Sequence, residues 1–342
     1  MLHFLSSLFS DTSRLPGGPE TALVEAAIER LVDATDPRLR GFGNYRKRLY
    51  AGVQQSVIHI QAMIDGLPEP VEVSRRTFGS DPRLRAFFAS PDRLQHAIAN
   101  APSVVDYLAR HKGPYSEFIY GLLAPKSRER QVIGMDLQGD QVRRDVLQKV
   151  MDFSDHRFFG AAGSESEARD EMKKRAFDFL AGLALKRILD IKEKRAELAQ
   201  QRRLLQRKFD AMQVGNWGLE PMLGQEETPR PDYAALEKQI EAGEAELLGL
   251  CGPSADLETH FDCINAVFEK PEEGLALRPV EMQIDAMSLK ISDPSDASSQ
   301  ALQLDEMYSS SGARRMVLFG YFPRNELPPE SDFFKEAQRF LG

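Results

Sequence analysis

Cysteine is nearly missing from this chain: 342 residues carry two, Cys251 and Cys263. So few sulfurs exclude a disulfide framework as the organising principle. Tryptophan occurs once, at Trp217. Long apolar runs are missing as well, and none approaches the roughly 18 residues that span a bilayer. Residues 176–191 come closest, but Asp178, Lys186, Arg187 and Asp190 interrupt them. The opening Met1-Leu2-His3-Phe4-Leu5 lacks the basic start of a secretory leader, and Asp11 soon breaks its apolar character. No membrane span is expected, and a cytoplasmic location is. Phosphate-cradling glycine loops are lacking, both GxxxxGK and GxGxxG, as are the GxSxG elbow and the HExxH zinc signature. No cofactor is therefore expected.

Excess positive charge is also lacking. The formal net charge is −8 and the isoelectric point about 5.5. That balance favours solubility and argues against a nucleic-acid coat, which needs a basic face. What the chain does have is ordinary globular material, 42% hydrophobic and 28% charged, at a length that suits two or three domains.

Proline and aspartate mark the helix starts. A helix is expected over 20–33, from the spacing of Leu23, Ala26, Ala27 and Leu31. Asp36-Pro37 predicts another, running to about Asp65 with Tyr50, Val53, Val57, Ile60 and Ile64 on one face. Residues 66–80 read as a connector. The pentapeptide Asp-Pro-Arg-Leu-Arg at 36–40 recurs at 81–85, which is read as the same helix-start chemistry used twice. Ser90-Pro91 and Ala101-Pro102 open two further short helices.

The texture then turns to β. Strands are expected at 117–124 and 131–137, separated by the polar stretch 125–130, with a turn at Gly139-Asp140. Residues 142–153 fit strand or helix and are read as strand; 160–166 reads as a small-residue linker. A helix is expected from Asp256 to Phe268, then a strand at 280–284 whose alternation slips phase near Asp285-Ala286. A hairpin joins 301–308 to 314–322, the second strand apolar on both faces and so central. A short helix is expected at 331–341.

Between the β regions lies a long helical hairpin. Ile188, Ile191, Arg195, Leu198, Arg202, Leu205, Phe209 and Met212 follow alternating steps of three and four, and so do Tyr233, Leu236, Ile240, Gly243, Leu247 and Leu250. Two such stripes predict antiparallel pairing. With Met212 near Tyr233, Arg202 faces Gly243 and Arg195 faces Leu250, its charge snorkelling outward. Charge agrees: 173–208 carries twelve Lys/Arg against four Asp/Glu, and 232–250 carries five acids against one Lys. The basic run is thus expected to face its own acidic partner helix rather than nucleic acid.

The expected fold class is α+β. It comprises a helical region at 1–112, a β region at 113–164, an antiparallel coiled-coil hairpin at 165–251, and a helix plus β region at 252–342 that completes one small antiparallel sheet. The expected function is protein–protein interaction, as scaffold, adaptor or regulator. Trp217, Leu219, Met222 and Leu223 would be the partner-binding residues, because an apolar cluster at a hairpin tip has no core beneath it. Homo-oligomerisation through the arm is open. Two weaker clusters could carry chemistry. Asp152, Asp155 and His156 would make a carboxylate–imidazole base for an enzyme with a nearby cleft. His260, Cys263 and Cys251 could contribute to a zinc site, although paired Cys-x-x-Cys ligands are missing and Cys263 sits among apolar neighbours. Nucleic-acid binding through 173–208 is the third reading.

Overall fold

The computed structural model describes residues 19–111, 116–138, 141–215, 233–250, 255–284 and 300–327. The chain divides into two compact units, each assembled from separate stretches. The first comprises 1–15, 55–179 and 270–342; the second comprises 16–54 and 180–269. The fold class is α+β, with a six-stranded sheet and a long helix.

The helix starts follow the sequence closely. α1 spans Pro19–Ala34. Asp36 then caps a short 3₁₀ turn, Pro37–Gly41, accepting the Arg38 backbone N–H, while the Arg38 guanidinium returns to the same carboxylate. Asp81 does the same for α3, Pro82–Phe87, with Arg83 in the role of Arg38. In both copies Pro takes the first position, where its missing N–H costs nothing, and the following Leu39 or Leu84 is fully buried. The expected continuous helix from 37 to 65 is corrected. The turn ends at Gly41, and α2 starts afresh at Tyr45–Asp65. Gly41 and Gly43 weaken helix here, and Phe42 is extended, its ring meeting Phe261 edge-on at 5.5 Å. α4 (Pro91–Ala99) and α5 (Pro102–Arg110) start where Ser-Pro and Ala-Pro place them.

In the first unit the strands β1 (Val71–Glu72), β2 (Phe118–Gln138), β3 (Gln141–Ala162), β4 (Leu275–Ile284), β5 (Gln300–Ser309) and β6 (Arg314–Pro323) form one sheet. Its order is β3-β2-β6-β5-β4, antiparallel throughout, with β1 added parallel to β6. β6 is central, as its two-sided apolar run predicts. The four residues α9, Pro271–Gly274, lead into β4. The expected connector at 66–80 contains β1, whose two residues are too few for an alternation to register. One sheet face carries Ile119, Leu123, Phe158, Met316, Leu318 and Phe322 against α3, α4 and α5. The other meets residues of α2 and of α6 (Glu165–Gly215): Arg169 lies 4.7 Å over the Phe319 ring, and His59 Nε2 donates to the Leu275 carbonyl at 2.8 Å.

The two strands expected at 117–124 and 131–137 are one, β2, running through the polar stretch between them. Its outer part pairs only with β3, so Lys126–Arg130 need no apolar face. β3 likewise consumes Gly160–Ala162 of the expected linker. Three register shifts each give β3 one residue more than β2. At one, Asp155 and His156 stand opposite Pro125, which has no N–H to offer a ladder; Asp155 takes a left-handed φ of 45° there. At another, Gly160 adopts φ 68° opposite Gly121, a conformation that glycine reaches without strain. α6 begins immediately after, capped by Ser164 Oγ, which accepts the Glu167 N–H at 3.3 Å.

The second unit gathers α1, the 3₁₀ turn, the first half of α2, α6 from Leu180, α7 (Tyr233–Leu250) and α8 (Ala255–Phe268). α8 sits at its centre. Phe261, Ile264 and Phe268 are fully buried. Arg48 stacks 4.0 Å over Phe261 and pairs with Glu258 at 2.5 Å. Gly52 lets α2 approach Phe268, which lies 3.3 Å from where a β-carbon would stand. Residues 285–299, where the phase slip falls, and the expected helix at 331–341 lie outside the described residues.

Candidate functional site

α6 is 51 residues long, far beyond an ordinary globular helix. Burial changes character along it. Ala168, Met172, Ala176, Phe177, Leu180, Ala181, Ala184 and Ile188 are buried, and no described residue from 189 to 211 is. At 1.5 Å per residue, the part beyond Ile188 extends about 40 Å. Within it the half-buried positions include Ile191, Arg195, Leu198, Leu205 and Phe209, the stripe read from the sequence. α7 runs alongside: Arg202 pairs with Glu244 at 3.3 Å and Lys194 with Glu246 at 3.1 Å. Partner numbers rise as α6 numbers fall, so the helices are antiparallel. Leu236 is buried and Ile240 half-buried on the facing stripe.

Two details of the expected register are corrected. A β-carbon at Gly243 would meet nothing within 4 Å, so Arg202 does not fill that space; its guanidinium reaches Glu244 instead. Arg195 does not carry its charge out to solvent but forms an ion pair with Asp256 of α8, and that pairing holds the Asp256 carboxyl below its usual range. A buried-side cation finds an acid when one lies within reach. Trp217, Leu219, Met222 and Leu223, the expected partner-binding residues, lie outside the described residues.

The second cluster divides. His260 is buried, with Nδ1 2.9 Å from Asp36 Oδ2, but it makes no aligned hydrogen bond there. Burial and then Lys192 lower the His260 pKa, which keeps the ring neutral. The Arg38 guanidinium, hydrogen-bonded to Asp36, holds that carboxyl down at about 2. Cys263 is a buried free thiol whose pKa burial raises. Cys251 lies outside the described residues, and among the described residues no three His, Cys, Asp or Glu side chains group as metal ligands do. Asp36 joined this cluster from more than two hundred positions away, which no local spacing could signal.

Asp152, Asp155 and His156 are adjacent in sequence but diverge in space. His156 Nε2 donates to the Phe87 carbonyl at 2.5 Å, and the ring stacks on Phe88 at 4.3 Å. Burial lowers its pKa. Asp155 instead accepts from Arg315 and from Arg157 Nε at 3.2 Å, and Arg315 foremost holds its carboxyl down. Asp152 lies 3.7 Å from Arg130. The strand alternation and the bulge send the carboxylates and the imidazole to different neighbours.

A second elongated feature is a two-stranded ribbon, whose outer strands the sequence marks but whose continuity through 125–130 it does not. β2 and β6 stop pairing after Leu123 and Leu318, yet β2 and β3 stay paired to Gln138 and Gln141. Arg315 seals the fork, donating to the Ala124 and Asp155 carbonyls at 2.8 and 2.9 Å. On the two-stranded ribbon beyond, Ile133 and Leu147 stand directly opposite each other, 71% and 70% exposed. The Gly139-Asp140 turn signal was its trace in the sequence.

No helix of the described residues is long and apolar enough to cross a membrane. No protein-family model, curated protein or solved structure matches the chain.

Proposed function

We propose that the protein is an interaction component, a scaffold, adaptor or regulator that presents an antiparallel coiled-coil arm to another protein. The observation that carries this reading is the loss of burial along α6 after Ile188, with α7 as its paired companion. A helical stretch of about 40 Å with no buried residue described from 189 to 211 contributes little to a core. Length of that kind serves reach. The basic face of α6 meets acids of α7 and α8, which favours the protein-partner reading over nucleic acid. The residues joining the two helices include Trp217, Leu219, Met222 and Leu223, the contact residues of this proposal.

The test is affinity capture from the native source with wild type beside Trp217→Ala and beside a variant whose arm is shortened. A partner retained by wild type and lost by both variants is the expected result. A capture profile unchanged by either variant sinks the proposal.

A further inference from the structure

We propose that the first unit binds a single-chain carboxylate amphiphile of the fatty-acid type, in a cleft between the first turns of α6 and the sheet. This inference is independent of the arm.

The cleft has a volume of about 570 Å³, within the roughly 300–1,000 Å³ range of small-molecule sites. Its walls are apolar: Leu122 and Phe159 from the sheet, Met172 and Phe179 from α6, Leu275 and Met307 from β4 and β5. Phe179 remains 38% exposed, a large ring left partly in water at the edge of the cleft. Such a lining favours an aliphatic body.

The charged groups lining it are Arg175, Arg315 and Asp178. Arg315 is committed to Asp155 and to two carbonyls. Arg175 is different. Its Nε donates to Glu171 at 3.0 Å, and its two amino groups carry no hydrogen bond among the described residues. A guanidinium that pairs with Glu171 through Nε and keeps its two amino groups for a ligand, beside an apolar cleft, matches a carboxylate attached to an alkyl chain. Asp178 lines the same cleft and disfavours a second negative charge, so a monoanion fits better than a dianion.

The experiment is calorimetric titration of the full chain with dodecanoate, decanoate, dodecanol and dodecyltrimethylammonium. Saturable one-site binding of dodecanoate is expected, with decanoate roughly tenfold weaker because it buries less chain. The trimethylammonium should not compete. Ala176→Phe fills the cleft from the helix side and Ala313→Trp fills it from the loop, so each should abolish binding. Arg175→Gln should weaken dodecanoate roughly two- to fivefold and leave dodecanol unchanged. Circular dichroism and thermal melting establish which variants fold, and either filled variant alone suffices. No saturable binding, or normal binding in a folded filled variant, overturns the site. Dodecanol or the trimethylammonium binding as tightly as dodecanoate, with Arg175→Gln silent, overturns the ligand class.

Discussion

Single residues carry two of the sharpest constraints. Gly320 lies where β1 joins β6; a β-carbon there would stand 2.5 Å from Val73 Cγ2 and 2.8 Å from the Val71 carbonyl. Gly320→Ala should therefore push β1 away and cost about 1–3 kcal/mol, read as a lower urea midpoint at unchanged slope. A second constraint concerns pH. His260 and His156 both have folded-state pKa values lowered by burial. The unfolded chain takes up these protons first, so their contribution to stability is complete above the ordinary histidine value of 6.5 and declines as pH falls below it. Thermal unfolding should occur at lower temperature at pH 5.5 than at pH 7.5. His260→Asn should flatten that dependence; an equally steep dependence in the variant would mean that His260 does not take part. Asp36, held at about 2, adds a further loss only once pH drops below the usual aspartate range.

At the scale of elements, the fork where the ribbon leaves the sheet depends on one side chain. Arg315 replaces the backbone partners that β2 and β3 lose there. Arg315→Met leaves two carbonyls and a carboxylate without their donor and should cost about 1–3 kcal/mol. Hydrogen exchange should show faster opening around Ala124 and Asp155, and uniform protection there would refute the role. Element by element, legibility in the sequence followed chemistry. The Asp-Pro, Ser-Pro and Ala-Pro starts were readable because capping is local. The half-buried stripes of α6 and α7 were readable because period survives without knowledge of the partner. The continuity of the ribbon with the sheet was not read because Lys126–Arg130 are not apolar, and a strand solvated on both faces has no alternation to detect. Neither the Asp36–His260 approach nor the Arg175 fork could be read, since each depends on contacts distant in sequence.

At the scale of the molecule, the arm is separable from what holds its base. Among described residues, nothing from 189 to 211 is buried, and Leu236 is the buried position between 234 and 246. Replacing residues 199–242 by a short Gly-Ser turn should leave a folded protein whose melting temperature shifts by no more than about 5 °C. Loss of the cooperative thermal transition on that deletion would show that the arm is part of a core. The same deletion removes Trp217 and its neighbours, so it separates stability from partner capture.

Among the described strands, the middle one of the sheet is also the last in chain order. β6 begins at Arg314, yet it joins β2 on one side and β5 and β1 on the other. During synthesis β1, β2 and β3 emerge long before the strand that unites them, and they present unpaired edges while they wait. Closure of this sheet thus waits until β6 has emerged, and a chain truncated before Arg314 cannot close it.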